Sequence, residues 1–319
     1  MIGVENSSTI GPSTKSTTVK SRFRDALLET WVFRGRVPLL RFPIPLRLPG
    51  GGWFLTYGDY IGFSVFCRSI AHLVLNKPSP GEVEFVLRFL GSRTEPVTVV
   101  DAGANQGLYS IVIARRLGAK GKVVAFEPAP TQYEKLKRNL RLNSLSNVTI
   151  EQYALGSANG VSEFHERLDH QGSYSSLRAQ APDVTARERL ISVRVTTLDS
   201  YAKSVGLPAL CFVKIDAEGG ELDILKGSEG VINSARPLVL CEMADIRTAA
   251  WGYRAADTYD WLTVRRYSWF SADRDGFLEP SAAKPHYVPE ENLIAIPDEK
   301  LASLSSLIYR VHDSKGRSH

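Results

Sequence analysis

Acidic residues and glycines that directly follow apolar runs are the groups of this chain that could do chemistry. The densest group is Val213-Lys214-Ile215-Asp216-Ala217-Glu218-Gly219-Gly220-Glu221, where three acids surround two glycines after a strand-like run. In a doubly wound sheet the carboxyl ends of the strands line the ligand crevice, so Asp216 and Glu218 are predicted to face a reacting group. Asp216 is the first candidate for a general base and Glu218 the second. Glu221 has a plainer alternative, which is to favour the positive end of a helix.

A glycine-rich turn precedes this group in the chain. The turn Asp101-Ala102-Gly103-Ala104-Asn105-Gln106-Gly107 joins an apolar run to an amphipathic segment. Glycine lets the backbone approach a ligand, and Asn105 is of the type that best tolerates a left-handed backbone. The next strand ends in Phe126-Glu127-Pro128, where Glu127 could accept hydrogen bonds from two ribose hydroxyls. This order predicts a nucleoside-type cofactor, and a tight turn beside a chance acid is the plainer alternative.

The spacing of the glycines distinguishes between NAD and S-adenosylmethionine as the cofactor. An NAD site has the pattern G-x-G-x-x-G and holds a pyrophosphate at a helix N-terminus, whereas here Gly103 and Gly107 enclose three residues and Asp101 precedes them. S-adenosylmethionine has no phosphate and carries an ammonium and a sulfonium, which a carboxylate attracts. The sequence therefore predicts S-adenosylmethionine, with a nicotinamide-dependent oxidoreductase as the alternative.

The elements that position these groups alternate between strand and helix. The pattern predicts an α/β fold with a doubly wound, mostly parallel, Rossmann-like sheet of seven strands. The predicted elements are helices at 82–90, 108–117, 131–142, 221–231 and 258–265, and strands at 97–100, 122–126, 148–152, 210–215, 238–241, near 268 and at 293–296. Residues 153–200 interrupt the alternation, and their runs Val161–His165 and Ile191–Thr196 predict an inserted hairpin with a mobile loop.

Composition predicts one enlarged domain with extensions. The predicted parts are a disordered tail (1–20), an N-terminal extended arm and helix that pack on the core (21–90), the cofactor-binding domain with its insertion (91–300) and a C-terminal tail (301–319). No apolar run approaches the roughly 18 residues that cross a bilayer, and no secretion signal is visible. Three widely spaced cysteines also suit a reducing compartment, so we expect a cytoplasmic protein.

The net charge of the chain excludes few classes of binding partner. The net charge is +5, and the positive residues cluster in the first 50 positions, which predicts either a weak peripheral contact with an anionic membrane surface or a solvated basic arm. A nucleic-acid-modifying protein is a rival interpretation, but the acids after Asp216 would repel a phosphate backbone, so no nucleic-acid partner is predicted. A non-catalytic binding module is a further rival.

No spacing of metal-ligating residues demands a metal ion, so none is predicted. His165 and His170 are outside candidates for the general base.

Taken together, these residues resemble the FkbM family of S-adenosylmethionine-dependent methyltransferases, class I enzymes that mostly methylate hydroxyl groups on sugars and natural products. The resemblance extends over roughly residues 50–297. The matching blocks lie at 99–107, 124–128, 136–143, 147–150, 154–156, 175–177, 197–199, 213–221 and 292–297. The block at 213–221 together with the closing Asn-Leu-Ile-Ala-Ile-Pro is the most specific part.

The resemblance implies a class I methyltransferase fold and O-methylation of a small-molecule or glycan acceptor: a sugar, glycolipid, polysaccharide or natural product. It implies that the methionine end of the cofactor is held by Asp101, Gly103, Asn105 and Gly107, the ribose by Glu127, and the adenine between Tyr153 and Ala154. Ala104 and Pro128 complete the predicted cofactor-binding set. One departure from the family pattern is Gly220, where a larger side chain is common.

Overall fold

A computed structural model describes residues 44–48, 51–56, 81–168, 174–179 and 187–308. The predicted tail at 1–20, nearly all of the basic arm, His170 and the end of the C-terminal tail lie outside the described residues. The elements are, in chain order, β1 (Ile44–Arg47), β2 (Trp53–Thr56), α1 (Gly81–Gly91), β3 (Val97–Ala102), α2 (Leu108–Leu117), β4 (Gly121–Phe126), α3 (Pro130–Leu142), β5 (Val148–Glu151), β6 (Ala154–Leu155), β7 (Gly160–Arg167), β8 (Glu188–Thr196), α4 (Leu198–Val205), β9 (Leu210–Ile215), α5 (Glu221–Lys226), α6 (Glu229–Ala235), β10 (Leu238–Met243), α7 (Asp245–Thr248), α8 (Ala255–Thr263), β11 (Tyr267–Ala272), β12 (Leu278–Pro280) and β13 (Glu291–Pro297).

The central sheet has the spatial order β12-β11-β13-β10-β9-β3-β4-β5. The strands from β10 to β5 run parallel, and β13, β11 and β12 are joined to them by antiparallel pairs. The predicted doubly wound, mostly parallel sheet is confirmed. Among the described residues it has eight strands and not seven, because the short β12 pairs with β11 at one edge. Strands β3 and β9 are neighbours, so the two chemistry-bearing turns leave the sheet side by side.

Both faces of the sheet are covered, which explains why its strands are apolar without alternation. Val99 packs with Phe85 and Ile113 of the helices on one face. Its neighbour Val100 packs on the other face in the cluster that contains Leu225. Successive residues of a strand point to opposite faces, so one apolar run supplies both halves of the core.

The insertion folds as a small sheet of its own. Strands β7 and β8 pair antiparallel along their whole lengths, which confirms the predicted hairpin, and β6 adds to β8 in parallel. The hairpin ends at Thr196, because Thr197 accepts a hydrogen bond from the backbone N–H of Ser200 and begins helix α4. The sequence-based prediction missed this helix.

The predicted helix at 221–231 is wrong in one respect, because it is two helices. A Cβ atom on Gly227 would lie 2.0 Å from the backbone oxygen of Gly156, so the chain approaches the insertion too closely there for a continuous helix with side chains. Helix α5 therefore ends at Lys226, and α6 begins at Glu229. Within the described ranges, no helix is both long and apolar enough to cross a membrane.

Candidate active site

The cofactor turn, residues 101–107, connects β3 to α2 through left-handed backbone. Gly103 and Gly107 have φ angles of 75° and 90°, and Asn105 has a φ of 51°, which confirms the conformation predicted for that asparagine. A Cβ atom on Gly103 would lie 1.8 Å from the backbone oxygen of Asp216. Glycine is therefore needed at position 103 for the turns after β3 and β9 to touch.

Glu127, at the end of β4, closes the cofactor turn from the side. Its carboxylate accepts hydrogen bonds from the backbone N–H groups of Asn105, at 2.7 Å, and Ala129, at 2.8 Å. Burial raises the pKa of Glu127 to about 7, and the two N–H groups oppose that rise. The side chain lines the main cavity, so its remaining lone pairs are available to a bound ligand.

The acidic turn, residues 216–221, is held by Glu221. The carboxylate of Glu221 accepts hydrogen bonds from the backbone N–H groups of Ala217, at 2.9 Å, and Gly219, at 3.2 Å. Burial raises the pKa of Glu221 to about 7. Glu218, between these donors, has a left-handed φ of 54°. Glu221 therefore shapes the turn in front of its own helix, as its plainer interpretation suggested.

Lys214, on β9, joins the two turns. Its Nζ atom lies 3.2 Å from Asp216 Oδ2 and 3.5 Å from Asp101 Oδ1, and it donates to the backbone oxygen of Gly103 at 3.1 Å. Burial of the lysine disfavours its charge, but Asp216 and Asp101 raise its pKa above the usual value. The sequence-based prediction gave this lysine no role, although it stands two residues before Asp216.

Glu218 lies in a cluster of carboxylates with compensating cations. Burial raises the pKa of Glu218 well above its usual range, and Arg247, whose Nε lies 3.1 Å from Glu218 Oε2, opposes the rise. Carboxylate oxygens of Asp216, Glu218 and Glu242 lie within 4.8 Å of one another and could hold a metal ion. Lys214 and Arg247 already place two cations against this cluster, and the absence of a metal stays a prediction.

One cavity contains both turns. Eight of the predicted site residues line it, namely Gly103, Ala104, Asn105, Glu127, Pro128, Ala154, Asp216 and Glu218. It thus brings the predicted cofactor site and both candidate bases together. Other residues that line the cavity were not predicted from the sequence, including Tyr109, Phe126, Phe164, Leu177, Lys214 and Trp251. Phe164 lies on the alternating run that predicted the hairpin, but nothing local indicated Trp251.

Three predicted cofactor residues do not line the cavity. Asp101 is fully buried, accepts a hydrogen bond from the Ser110 hydroxyl at 2.6 Å, and faces Lys214. Gly107 directly precedes helix α2, and a Cβ atom there would lie 2.4 Å from Leu136. The Tyr153 ring faces the Arg194 guanidinium at 4.2 Å. In each case packing within the protein occupies the group that was predicted to face a ligand.

The outside candidate His165 does not line the cavity either. Its Nδ1 atom lies 2.5 Å from Glu188 Oε1 on the neighbouring strand. The contact pairs His165 of β7 with Glu188 of β8, and the other outside candidate, His170, lies outside the described residues.

Comparison with known proteins gives matches to methyltransferases. The methyltransferase sdnD of Sordaria araneosa is 32% identical over 154 residues, which cover 40% of this chain and 59% of that protein. The hexuronic acid methyltransferase AglP of Haloferax volcanii is 25% identical over 160 residues, covering 50% of this chain and 62% of AglP. The 2-O-methyltransferase NoeI of Sinorhizobium fredii is 23% identical over 206 residues, covering 58% of this chain and 79% of NoeI.

The chain thus spans about three fifths of the length of sdnD and of AglP. The methyltransferase FkbM domain matches residues 101–269 of the 319, which is more than half of the chain. That range begins at the cofactor turn and includes the acidic turn and the insertion, so the chain belongs to the methyltransferase FkbM family.

Proposed function

We propose that this protein transfers a methyl group from S-adenosylmethionine to a hydroxyl group of a sugar, a glycolipid, a polysaccharide or a sugar-containing natural product. The observation that carries this proposal is the single cavity that contains the cofactor turn, Glu127, Asp216 and Glu218. Membership of the FkbM family supports methyl transfer.

The cavity suits a cationic nucleoside better than a dinucleotide. The Glu127 carboxylate would hold the ribose hydroxyls, and the open backbone at Gly103 and Asn105 would face the methionine end. Ala154, after β5, would lie against the adenine. The carboxylate of Asp216 and the ionised form of Glu127 lie on the walls and attract an ammonium and a sulfonium, whereas they would repel the pyrophosphate of NAD.

S-adenosylmethionine supplies an activated methyl group on a sulfonium. In the transfer, the acceptor oxygen forms a bond to the methyl carbon as the carbon–sulfur bond breaks, and the hydroxyl proton moves to a carboxylate. Asp216 suits this proton transfer, because its side chain is 36% exposed and reachable by an acceptor, while Glu218 is 11% exposed and held by Arg247. Glu218 is the second candidate.

The names of two relatives support a sugar hydroxyl as the acceptor. AglP is a hexuronic acid methyltransferase, and NoeI is a 2-O-methyltransferase. Oxygen acceptors also need the base that the cavity offers, since an alcohol must lose its proton during the transfer.

Titration calorimetry tests the cofactor. We expect S-adenosylhomocysteine to bind and NADH not to bind, and binding of NADH alone would overturn the proposal. Glu127→Gln should weaken binding of S-adenosylhomocysteine, and Glu163→Gln, on the exposed face of β7, is the matched control.

Mass spectrometry tests the acceptor class. Glycolipids, polysaccharides and small metabolites from cells with and without the gene should differ by one methyl group in one of these classes. If every class is unchanged, hydroxyl methylation of sugars is contradicted.

A further inference from the structure

Trp251 forms one wall of the cavity and lies against the two glycines of the acidic turn. A Cβ atom on Gly220 would lie 2.9 Å from Cη2 and 3.0 Å from Cζ2 of the indole. A Cβ atom on Gly219 would lie 2.7 Å from its Cδ1. The space beside Gly220 is thus filled by the Trp251 ring.

The indole is also fixed by its polar edge. Its Nε1–H donates to the backbone oxygen of Glu218 at 3.3 Å, and the same oxygen accepts a hydrogen bond from the Ser176 hydroxyl at 3.1 Å. The ring therefore has a set position relative to Asp216 and Glu218, which line the same cavity. A fixed aromatic wall orders a ligand without losing much side-chain freedom of its own.

The insertion supplies the remaining walls near Trp251. Leu177 and Ser175 line the cavity, and the guanidinium carbon of the exposed Arg178 lies 5.6 Å from the centre of the Trp251 ring. This side of the cavity therefore combines an aromatic ring and aliphatic surface with two carboxylates. Such walls suit a ligand that has an apolar face and several hydroxyl groups around its edge.

A pyranose ring has that shape. One face presents C–H groups, which pack on an aromatic ring, and the hydroxyls at the edge donate to carboxylates. A phenol also stacks on an aromatic ring, but its single hydroxyl could donate a hydrogen bond to only one of Asp216 and Glu218. We propose that Trp251 is the surface on which the sugar ring of the acceptor stacks, and that Gly220 allows the indole to take that position. The inference rests on the proposed function and narrows its acceptor to pyranose rings.

Saturation-transfer NMR tests this stacking without turnover. The probes are the methyl glycosides of glucose, galactose and mannose, each with the protein saturated by S-adenosylhomocysteine. We expect signal on the ring C–H protons of at least one probe. Trp251→Leu keeps apolar bulk without an aromatic face and should weaken that binding about tenfold, while Trp251→Phe should stay within about threefold. Gly220→Val should resemble Trp251→Leu, because the new side chain displaces the indole.

Trp261→Phe is the matched control, because the ring of Trp261, on α8, packs against Arg265 and does not line the cavity. In methyl-transfer assays, Trp251→Leu should raise KM for the glycoside more than it lowers kcat. All variants should bind S-adenosylhomocysteine within about threefold of the wild type, since Trp251 contacts the acceptor.

Three results would overturn the inference. One is a wild-type protein that binds S-adenosylhomocysteine but gives no signal with any glycoside. Another is Trp251→Leu with unchanged glycoside binding. The third is a wild-type protein that binds catechol and methylates it in preference to every glycoside. Failure of the proposed function is a different result, because the wild type would then not bind S-adenosylhomocysteine at all.

Discussion

The cofactor turn and the acidic turn share a construction and differ in what they present to the cavity. Each has a non-glycine residue in left-handed backbone, Asn105 in one and Glu218 in the other. Each is held by a buried glutamate that accepts two backbone N–H groups and has a pKa of about 7. Glu127 lines the cavity, whereas Glu221 does not. The same device therefore faces the cavity in one turn and only shapes the backbone in the other.

The turns also differ in their supports. The cofactor turn is braced by Glu127 at the end of β4, by the Asn139 side chain of α3, which donates to the Gln106 backbone oxygen, and by Lys214 of β9. The acidic turn is braced by Ser176 from the insertion and by Arg247 and Trp251 from the segment after β10. The two turns therefore share Lys214, and the acidic turn depends in addition on the insertion and on the segment after β10.

The largest expected effect comes from removing the close approach of the turns. Gly103→Ala would place a Cβ atom 1.8 Å from the Asp216 backbone oxygen. We expect the free energy of unfolding to fall by about 4 kcal/mol, measured by urea denaturation, with loss of binding of S-adenosylhomocysteine. Gly206→Ala is the control, because Gly206 has a φ of 60° but no atom within 4 Å of an added Cβ. It should cost only about 1 kcal/mol, and equal losses would contradict the role of the contact.

Asp216→Asn should have the next largest effect, on the rate. We expect kcat for methyl transfer to fall by about 100-fold, because the amide cannot accept the proton, with little change in the Kd of S-adenosylhomocysteine. Glu218→Gln should lower kcat by about tenfold, and Asp260→Asn on the exposed side of α8 should change nothing. A greater loss in Glu218→Gln would make Glu218 the base.

The two buried glutamates offer a matched test of the comparison. Burial raises both pKa values from 4.5 to about 7, so the folded protein keeps protons that the unfolded chain releases between these pH values. Stability is therefore lost as the pH rises through this window. Glu127→Gln and Glu221→Gln should each reduce that loss, measured by urea denaturation at pH 5 and pH 8.

Only one of these variants should alter cofactor affinity. Ribose hydroxyls would donate to the ionised Glu127, so affinity for S-adenosylhomocysteine should increase with pH in the wild type. Glu127→Gln should abolish this pH dependence and weaken binding by about tenfold at pH 8, while Glu221→Gln should keep both properties. Similar binding defects in the two variants would contradict the proposal that Glu127 contacts the cofactor while Glu221 only supports the backbone.

The smallest expected effect is at the link between the insertion and the acidic turn. Ser176→Ala removes the hydroxyl that donates to the Glu218 backbone oxygen and should lower the free energy of unfolding by about 1 kcal/mol. Ser204→Ala, which removes an exposed hydrogen bond on α4, should cost less. If the two variants lose the same amount, the link contributes no special stability.

The sequence predicted those parts of the site whose conformation is determined by residues close to them in the chain. The left-handed Asn105, the strand–turn–helix order and Glu127 at the end of the next strand all follow from neighbouring residues, and the structure has them in place. The position of Asp101 could not be predicted, because its partners Ser110 and Lys214 meet it only when α2 and β9 pack. Trp251 was missed because its neighbours Glu218, Gly219 and Gly220 are distant in sequence.

Lys214 has a consequence for anyone who wishes to exchange parts between members of this family. Its ammonium group touches Asp101 and Gly103 in one turn and Asp216 in the other. In a chimaera that imports only residues 101–107, or only residues 216–221, Lys214 would contact one turn from its own protein and one turn from another family member. Recombination should therefore transfer β3, β9 and both turns as one block, with crossovers placed before β3 and beyond β10.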